Sequence, residues 1–238
     1  MQRLLKATIL FAPLLATAQF NLQQHYDIGR GIQTSTAEFF SATEKAVVFA
    51  FIDINYDTQH FTKSGATDIW YELAWYQPTP LLSGKLNASL QYNDGLYFFP
   101  LDSTLLGSAV QPAWLAGISY PFQLGEFVLP VDLLLRQQHG DDRLTFQATV
   151  VWFIPFNKRF TFTGFADIWT NATGPAVSLT TEPQLLVNHG RVSLGLEIEI
   201  SRGFAGAWTA DREYFSADGS PRDDEWWLIP TVFFKYTF

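Results

Sequence analysis

The sequence contains no cysteine, and this absence excludes a disulfide framework. Exported proteins often gain such cross-links, so an exported chain without them must be held together by hydrogen bonds and packing. The sequence also lacks any window of about 20 uninterrupted apolar residues, which excludes a membrane-spanning helix. Basic residues are scarce, since 15 Lys and Arg stand against 23 Asp and Glu. This acidic balance argues against a nucleic-acid partner.

The start of the chain has the form of a secretory signal peptide. Arg3 and Lys6 precede a short apolar run, and Ala16, Thr17 and Ala18 offer the small-x-small pattern that signal peptidase cleaves. The run is too short to cross roughly 30 Å of hydrocarbon as a helix. We therefore expect residues 1–18 to be a signal peptide and residues 19–238 to be a single exported domain.

The end of the chain alternates between apolar and polar side chains up to a terminal phenylalanine. From Trp226 to Phe238 every second residue is apolar, whereas Thr231, Lys235 and Thr237 lie on the opposite face. An unbroken apolar face suits a strand exposed to lipid, because hydrocarbon offers no hydrogen bonds. A final aromatic residue also resembles the signal that barrel-assembly machinery recognises. We expect this strand to close a transmembrane β-barrel.

Alternation with a period of two recurs along the chain. It is clearest from Arg191 to Ser201, where apolar residues take every second position, as no helix would arrange them. The pattern predicts an all-β, antiparallel, up-and-down transmembrane barrel of about twelve strands, each about 9 to 11 residues long. The predicted strands are 20–29, 33–41, 46–56, 68–77, 85–93, 113–122, 127–137, 143–154, 160–169, 178–188, 191–201 and 225–238.

The connections between these strands alternate in length. The short set is 42–45, 79–84, 123–126, 155–158 and 188–191, and the intervening long set is 57–67, 94–112, 170–175 and 203–224. Two of the intervening connections, 30–31 and 139–142, are short exceptions. Outer-membrane barrels have short periplasmic turns and long external loops. We therefore expect both termini at the periplasmic side of the outer membrane of a Gram-negative bacterium. The expected partners are membrane lipid, lipopolysaccharide and the barrel-assembly machinery, and the expected state is a monomer.

The polar face of each predicted strand would line a lumen that is both acidic and aromatic. Its titratable residues are His25, Asp27, Glu38, Asp53, Glu72, Asp132, Asp167, Glu182, Glu197 and Glu199, its counter-charges Arg136, Arg143, Arg191 and Lys235, and its rings Phe40, Phe49, Phe51, Trp70, Phe165, Trp169, Trp227 and Phe233. In a narrow barrel such charges often pair only to be satisfied. Alternatively, the rings stack on a flat solute and the charged groups bind its hydroxyls, which suits a nucleoside or aromatic metabolite better than an ion.

Several short stretches resemble a known family in order and spacing. They are Ser35-Thr36-Ala37-Glu38-Phe39-Phe40, Phe49-Ala50-Phe51-Ile52-Asp53, Val151-Trp152-Phe153-Ile154-Pro155, Gly164-Phe165-Ala166-Asp167-Ile168-Trp169 and Lys235-Tyr236-Thr237-Phe238. The chain is similar to the Tsx-type family of nucleoside-specific outer-membrane channels, and most similar to an uncharacterised Tsx-like family of about this size. The resemblance implies passive diffusion of nucleosides without a cofactor, through a lining that includes Glu38, Phe40, Phe51, Asp53, Phe165, Asp167 and Trp169.

The predicted function is therefore a channel for small polar solutes such as nucleosides, with no catalytic residue, metal or cofactor. The predicted solute-binding residues are Glu38, Phe40, Phe51, Asp53, Glu72, Phe165, Asp167, Trp169, Glu182, Glu197 and Lys235. A non-conducting scaffold that binds partners through its long loops is the main alternative. A lipase-type enzyme is disfavoured, because the chain has no Gly-x-Ser-x-Gly motif and no lipid-facing His near a Ser.

Overall fold

The computed structural model describes residues 17–28, 31–56, 65–101, 104–172, 177–203 and 226–238. The strands are β1 Thr17–Asp27, β2 Gln33–Ala42, β3 Val47–Tyr56, β4 Ala66–Pro78, β5 Asn87–Leu101, β6 Thr104–Leu124, β7 Phe127–Gln138, β8 Thr145–Pro155, β9 Phe160–Thr170, β10 Val177–Thr181, β11 Gln184–His189, β12 Val192–Arg202 and β13 Trp226–Thr237. The predicted signal peptide before Thr17 lies outside the described residues. So do most of the predicted connections 57–67 and 203–224 and part of 170–175.

The strands form one closed antiparallel barrel. Sequence neighbours pair along the wall, and β13 returns to pair with β1 over the register Asn21↔Thr237 to Asp27↔Thr231. The backbone N–H of Phe238 donates to the carbonyl of Phe20 at 2.9 Å, and the two rings lie 5.4 Å apart. β10 and β11 both pair with β9 on one side and with β12 on the other, so together they form a single transmembrane segment of the wall. We call each such segment a crossing, and the thirteen described strands therefore make twelve crossings. The predicted transmembrane barrel is confirmed.

The barrel is polar inside and apolar outside. Of the described residues, 21 polar or charged side chains are buried, against 11 apolar ones. The outer face carries large exposed apolar side chains, such as Leu194, Leu196, Leu228 and Phe234. This distribution suits lipid around the wall, because a barrel in water would bury its apolar face. No helix within the described residues is both long and apolar enough to cross a membrane.

One end of the barrel, which we call the terminal end, holds the start of β1 at Thr17, the end of β13 and five of the short connections between strands. At the turn between β11 and β12, Gly190 has a φ of 63°, and Gly125 has a φ of 59° between β6 and β7. Glycine meets this left-handed backbone without steric cost. Between β8 and β9 the side-chain oxygen of Asn157 accepts hydrogen bonds from the backbone N–H groups of Arg159 and Phe160. The five connections predicted to be short do lie together at this end, and the connections between β1 and β2 and between β7 and β8, at the opposite end, are also short, as predicted.

The predicted loop 94–112 is wrong. β5 and β6 continue through it as a hairpin, with pairing from Asn87↔Ser119 up to Leu101↔Thr104 and a register shift between Asn93 and Gly95. Gly95 lies inside β5 and not in a turn. A Cβ at this position would lie 2.5 Å from the carbonyl oxygen of Ile69 on β4, so only glycine fits. It permits close backbone approach at the irregularity, which is a common role of glycine inside a strand.

The predicted single strand 178–188 is interrupted at Glu182 and Pro183. Proline has no backbone N–H to donate to a neighbouring strand, so the ladder cannot continue unchanged. The two residues remain attached to both neighbours, since the N–H of Glu182 donates to the carbonyl of Phe165 at 3.1 Å and the N–H of Ile198 donates to that of Pro183 at 3.2 Å. The interruption therefore breaks the strand but leaves the wall hydrogen-bonded on both sides.

Candidate functional site in the barrel lumen

The register identifies which side chains face the lumen, because directly paired residues on antiparallel strands point to the same face. Glu38 is paired with Phe51, and Phe51 with Glu72. These three predicted site residues therefore form a row across β2, β3 and β4. In the neighbouring row Asp53 is paired with Thr36 and with Trp70. Both rows share their face with the buried Thr36, so they lie on the inner wall.

The other predicted site residues lie on the same inner face. Asp167 is paired with Thr149 and Thr180, and Trp169 with Gln147 and Ser178, of which Gln147, Ser178 and Thr180 are buried in the lumen. The same parity brings Phe165, Glu197, Lys235 and Phe40 inside. Glu182 lies in the interruption between two inward positions, Thr180 and Gln184. It interacts electrostatically with Glu197, Glu199, Asp53 and Glu72.

A polar network connects several of these residues around β13, β1 and β2. The Lys235 ammonium lies 3.0 Å from Glu38 Oε2, and Asn21 Nδ2 donates to the same oxygen at 2.7 Å. Gln23 continues the chain by donating to Asn21 and by contacting the ring of His25. His25 in turn stacks on Phe233, with ring centroids 4.5 Å apart. Its Nδ1 lies 3.9 Å from a Glu197 oxygen on β12, so the network spans four neighbouring strands of the wall.

The wall formed by β5, β6 and β7, which we call the packed wall, is filled by its own side chains. Ala113, Leu115 and Leu134 form a buried apolar cluster on the inner face. Beside it Asp132 is buried, and its Oδ2 accepts hydrogen bonds from Tyr76 and from Gln91, each at 2.9 Å. Tyr76 reaches this oxygen from β4, across two intervening strands, so this side of the lumen is narrowed.

Four carboxylates, Asp53, Glu72, Asp167 and Glu182, form what we call the acidic belt. Glu72 interacts electrostatically with both Asp53 and Asp167, and Glu182 with Asp53 and Glu72. The strands β4 and β9 are not neighbours in the wall, so these interactions cross the lumen. The hydrogen-bond donors are neutral: Thr36 donates to Asp53, Thr149 to Asp167, and the Trp70 indole to Glu72 at 2.9 Å.

One cation lies beside the acidic belt in the described part of the lumen. Arg136 interacts electrostatically with Glu72 and Asp167, and its guanidinium lies 5.6 Å from the ring centroid of Trp169. Such a distance is typical of a cation–π contact. The carboxylates lie on several strands. Within the described residues, no three His, Cys, Asp or Glu side chains come close enough together to bind a metal ion.

Residues 18–238 match a protein family described as a domain of unknown function, DUF5020. The chain belongs to the DUF5020 family. A search of curated proteins finds no match for it. Among solved structures the chain is similar to the translocator domain of the autotransporter NalP from Neisseria meningitidis, with 11% identity, a TM-score of 0.42, and coverage of 93% of this chain and 87% of that one. It is also similar to BamA from Haemophilus ducreyi lacking POTRA domains 1–3, with 10% identity, a TM-score of 0.35, and coverage of 94% and 70%.

Two predicted counter-charges are not in the lumen of this DUF5020 barrel. Arg143 precedes β8, is exposed, and donates to the carbonyl of Ala172 in the connection after β9. Arg191 lies exposed in the turn before β12. Both were assigned inward by extending strand parity past the end of the strand, where parity no longer decides direction. Their removal from the lining makes it more acidic than the sequence predicted.

Several lumen contacts of the DUF5020 barrel were not predicted. Gln91 and Asn93 belong to the polar face of a predicted strand, but the hydrogen bonds of Tyr76 and Gln91 to Asp132 and the pairing of Asn93 with Glu72 were not expected. Leu115 and Leu134 also lie inside, although leucine was expected on the lipid face. The signal for Leu134 was present, because it shares its parity with Asp132 and Arg136, two inward residues on the same strand.

Proposed function

We propose that this DUF5020 protein is an outer-membrane channel through which small, flat, polar solutes of the nucleoside class diffuse passively. The observation that carries the proposal is the inner row in which Phe51 is paired with Glu38 on one side and with Glu72 on the other. A ring flanked by acceptors suits a solute with a planar base and a hydroxylated sugar. The resemblance to Tsx-type channels supports the same solute class.

The chemistry of the row accounts for recognition without a cofactor. A nucleobase stacks on the exposed edge or face of Phe51, while sugar hydroxyls and exocyclic amino groups donate to the carboxylates. Stacking of a base on an aromatic side chain is worth about 1–3 kcal/mol, which is weak enough for rapid release. Weak binding suits a diffusion channel, because a solute that enters must also leave.

The proposed location follows from the apolar outer face and the closed wall. The terminal end would face the periplasm, since barrels of this kind keep their termini and short turns there. The closing strand β13 would be the one that barrel-assembly machinery recognises, and lipid and lipopolysaccharide would surround the wall. The monomer is the proposed state, because a closed sheet leaves no strand edge for another copy. We propose no catalytic role for the barrel.

The experiment is single-channel recording of the purified barrel in a planar bilayer while adenosine is titrated. We expect a conducting pore whose current adenosine reduces at millimolar concentration. Phe51→Leu removes the ring and should weaken this block on the order of tenfold, in keeping with the loss of base stacking. The matched control is Phe146→Leu, because Phe146 lies on the outer face and is 64% exposed.

The outcomes separate the proposal from its alternatives. A pore that conducts but does not respond to adenosine would be a general pore. A folded barrel that never conducts would favour a scaffold, in line with the apolar filling around Leu115. Lipase activity in the same preparation would point to an enzyme instead. Equal loss of block in both phenylalanine variants would show that the Phe51 ring has no specific role.

A further inference from the structure

We propose that the acidic belt makes the lumen selective for positively charged solutes, with small ammonium-bearing compounds passing and anions excluded. This inference rests on the proposed function in one respect, namely that the lumen conducts. It adds the sign of the charge that the pore accepts, which neither the family description nor the nucleoside assignment contains. The acidic belt is the four carboxylates Asp53, Glu72, Asp167 and Glu182, defined above by their interactions across the lumen.

Negative groups outnumber positive ones at the acidic belt. Four carboxylates face one arginine, Arg136, and the hydrogen-bond donors to Asp53, Glu72 and Asp167 named above are neutral. Lys235 does not balance the belt, because its ammonium lies against Glu38. A cleft of one charge sign with low-dielectric walls concentrates ions of the opposite sign and repels ions of its own sign. The local field therefore favours cations.

Two neutral oxygens in the lumen, Asn93 Oδ1 and Thr180 Oγ, are buried and have no hydrogen-bond partner. Asn93 is paired with Glu72, and Thr180 with Asp167, so both oxygens stand beside members of the belt. Buried polar groups are normally satisfied, and an unsatisfied acceptor costs free energy. A donor-rich cation such as an ammonium group would satisfy such an oxygen and a neighbouring carboxylate together.

The lumen already holds one cation of its own beside the acidic belt, the guanidinium of Arg136. Arg136 lies near Glu72 and Asp167 and over the face of Trp169. Its guanidinium thus shows which chemistry the belt accommodates, namely a positive charge between carboxylates and an aromatic face. Glu182 lies opposite Phe165, since its N–H is hydrogen-bonded to the backbone of Phe165, so a diffusing cation would meet a carboxylate and an aromatic residue on adjacent strands there.

The test is the reversal potential of the channel in a gradient of KCl, whose two ions have similar mobility in water. We expect potassium to be preferred over chloride on the order of tenfold. The double variant Glu72→Gln, Glu182→Gln keeps the shape of both side chains and should lower this preference several-fold. The control is Glu44→Gln with Glu126→Gln, which neutralises two exposed carboxylates in the short turns of the terminal end.

Uptake into liposomes extends the test to organic solutes. Glucosamine and gluconate are similar in size and opposite in charge, so we expect glucosamine to enter faster and the difference to shrink in the belt variant. A pore that prefers chloride, or that shows no preference, overturns the inference and leaves the proposed channel intact. An unchanged preference in the belt variant overturns the assignment to these carboxylates.

A folded barrel that does not conduct would overturn the proposed function. The preference of the acidic belt for cations could then be measured separately, as the access of ions to the lumen. Trp70 faces the lumen and donates to Glu72, so its fluorescence reports on ions that reach the belt. The difference in tryptophan emission between the unchanged protein and the Trp70→Phe variant gives the contribution of Trp70. Each ion's quenching is divided by its quenching of free tryptophan, because iodide is the more efficient quencher in water. We expect this ratio to be higher for caesium than for iodide, and the difference to shrink in the belt variant. Equal ratios for the two ions would contradict the inference.

Discussion

The packed wall and the acidic belt treat a buried carboxylate in opposite ways. On the packed wall, Asp132 receives hydrogen bonds from Tyr76 and Gln91 and lies next to the cluster around Leu115. In the belt, Glu72 receives one hydrogen bond from the Trp70 indole and interacts with the other three carboxylates of the belt. Under the proposed function, the difference separates a carboxylate that stabilises the wall from one that a solute would contact.

The comparison also explains how one regular scaffold carries both features. Period-two alternation sends a side chain inward at every second position, whatever that side chain is. Where the inward residues are leucine and alanine, they fill the lumen and exclude water. Where they are carboxylates opposite one another, their repulsion and the cost of removing their solvation oppose close packing. The two regions can therefore be broken separately by substitution.

The largest effect on stability is expected from the packed wall. Leu115 is completely buried, and Leu115→Ala would leave a cavity between Ala113 and Leu134. We expect the free energy of unfolding to fall by about 2–5 kcal/mol, as measured by urea unfolding in lipid vesicles. Leu81→Ala is the control, because Leu81 is 59% exposed in a turn. Similar losses in the two variants would mean that the cluster is not a core.

The hydrogen bonds to Asp132 should contribute less than the apolar cluster. Tyr76→Phe keeps the ring and removes one of the hydrogen bonds to Asp132 Oδ2, which leaves a buried carboxylate with one donor fewer. We expect a loss of about 1–3 kcal/mol in the same unfolding assay. Glu72→Gln, in contrast, removes a charge that repels its neighbours, so it should cost less than Tyr76→Phe. The comparison of the two regions fails if Glu72→Gln is the more destabilising change.

A suitable control for the tyrosine substitution is Tyr120→Phe. Tyr120 lies next to the inward-facing Ser119 on β6, so it points to the outer face, and it is half-buried there. Its substitution also removes one hydroxyl but does not touch Asp132. A loss as large as that of Tyr76→Phe would show that the effect belongs to tyrosine hydroxyls in general.

The sequence alone predicts most of the strands and which carboxylates face the lumen, because alternation of apolar and polar residues identifies both the strands and their two faces. Asp53, Glu72 and Asp167 were placed inside by parity alone, and the structure has them on the inner face. Parity failed where regular strands stop. Arg143 and Arg191 lie beyond strand ends, and Pro183 interrupts a crossing that the pattern had treated as continuous.

What alternation could not predict is which inward residues meet across the lumen. The reach of Glu72 to Asp167 depends on strand tilt and on the stagger accumulated around the barrel, which are properties of the closed sheet. The hairpin of β5 and β6 was missed for a related reason. Its pairing is a cross-strand property, and the bulge near Gly95 shifts the parity, so the local sequence there reads as a loop.

The smallest effect is expected when the structural carboxylate itself is neutralised and ion selectivity is measured. Asp132→Asn removes one negative charge from the lumen, as Glu72→Gln does. Asp132 is almost fully buried and bonded to Tyr76 and Gln91, so a passing ion does not contact it. We expect the potassium preference to change less than twofold, against the several-fold loss expected for the belt variant. A loss equal to that of Glu72→Gln would mean that selectivity depends on the total charge of the lumen, and that the position of each carboxylate relative to the solute path does not matter.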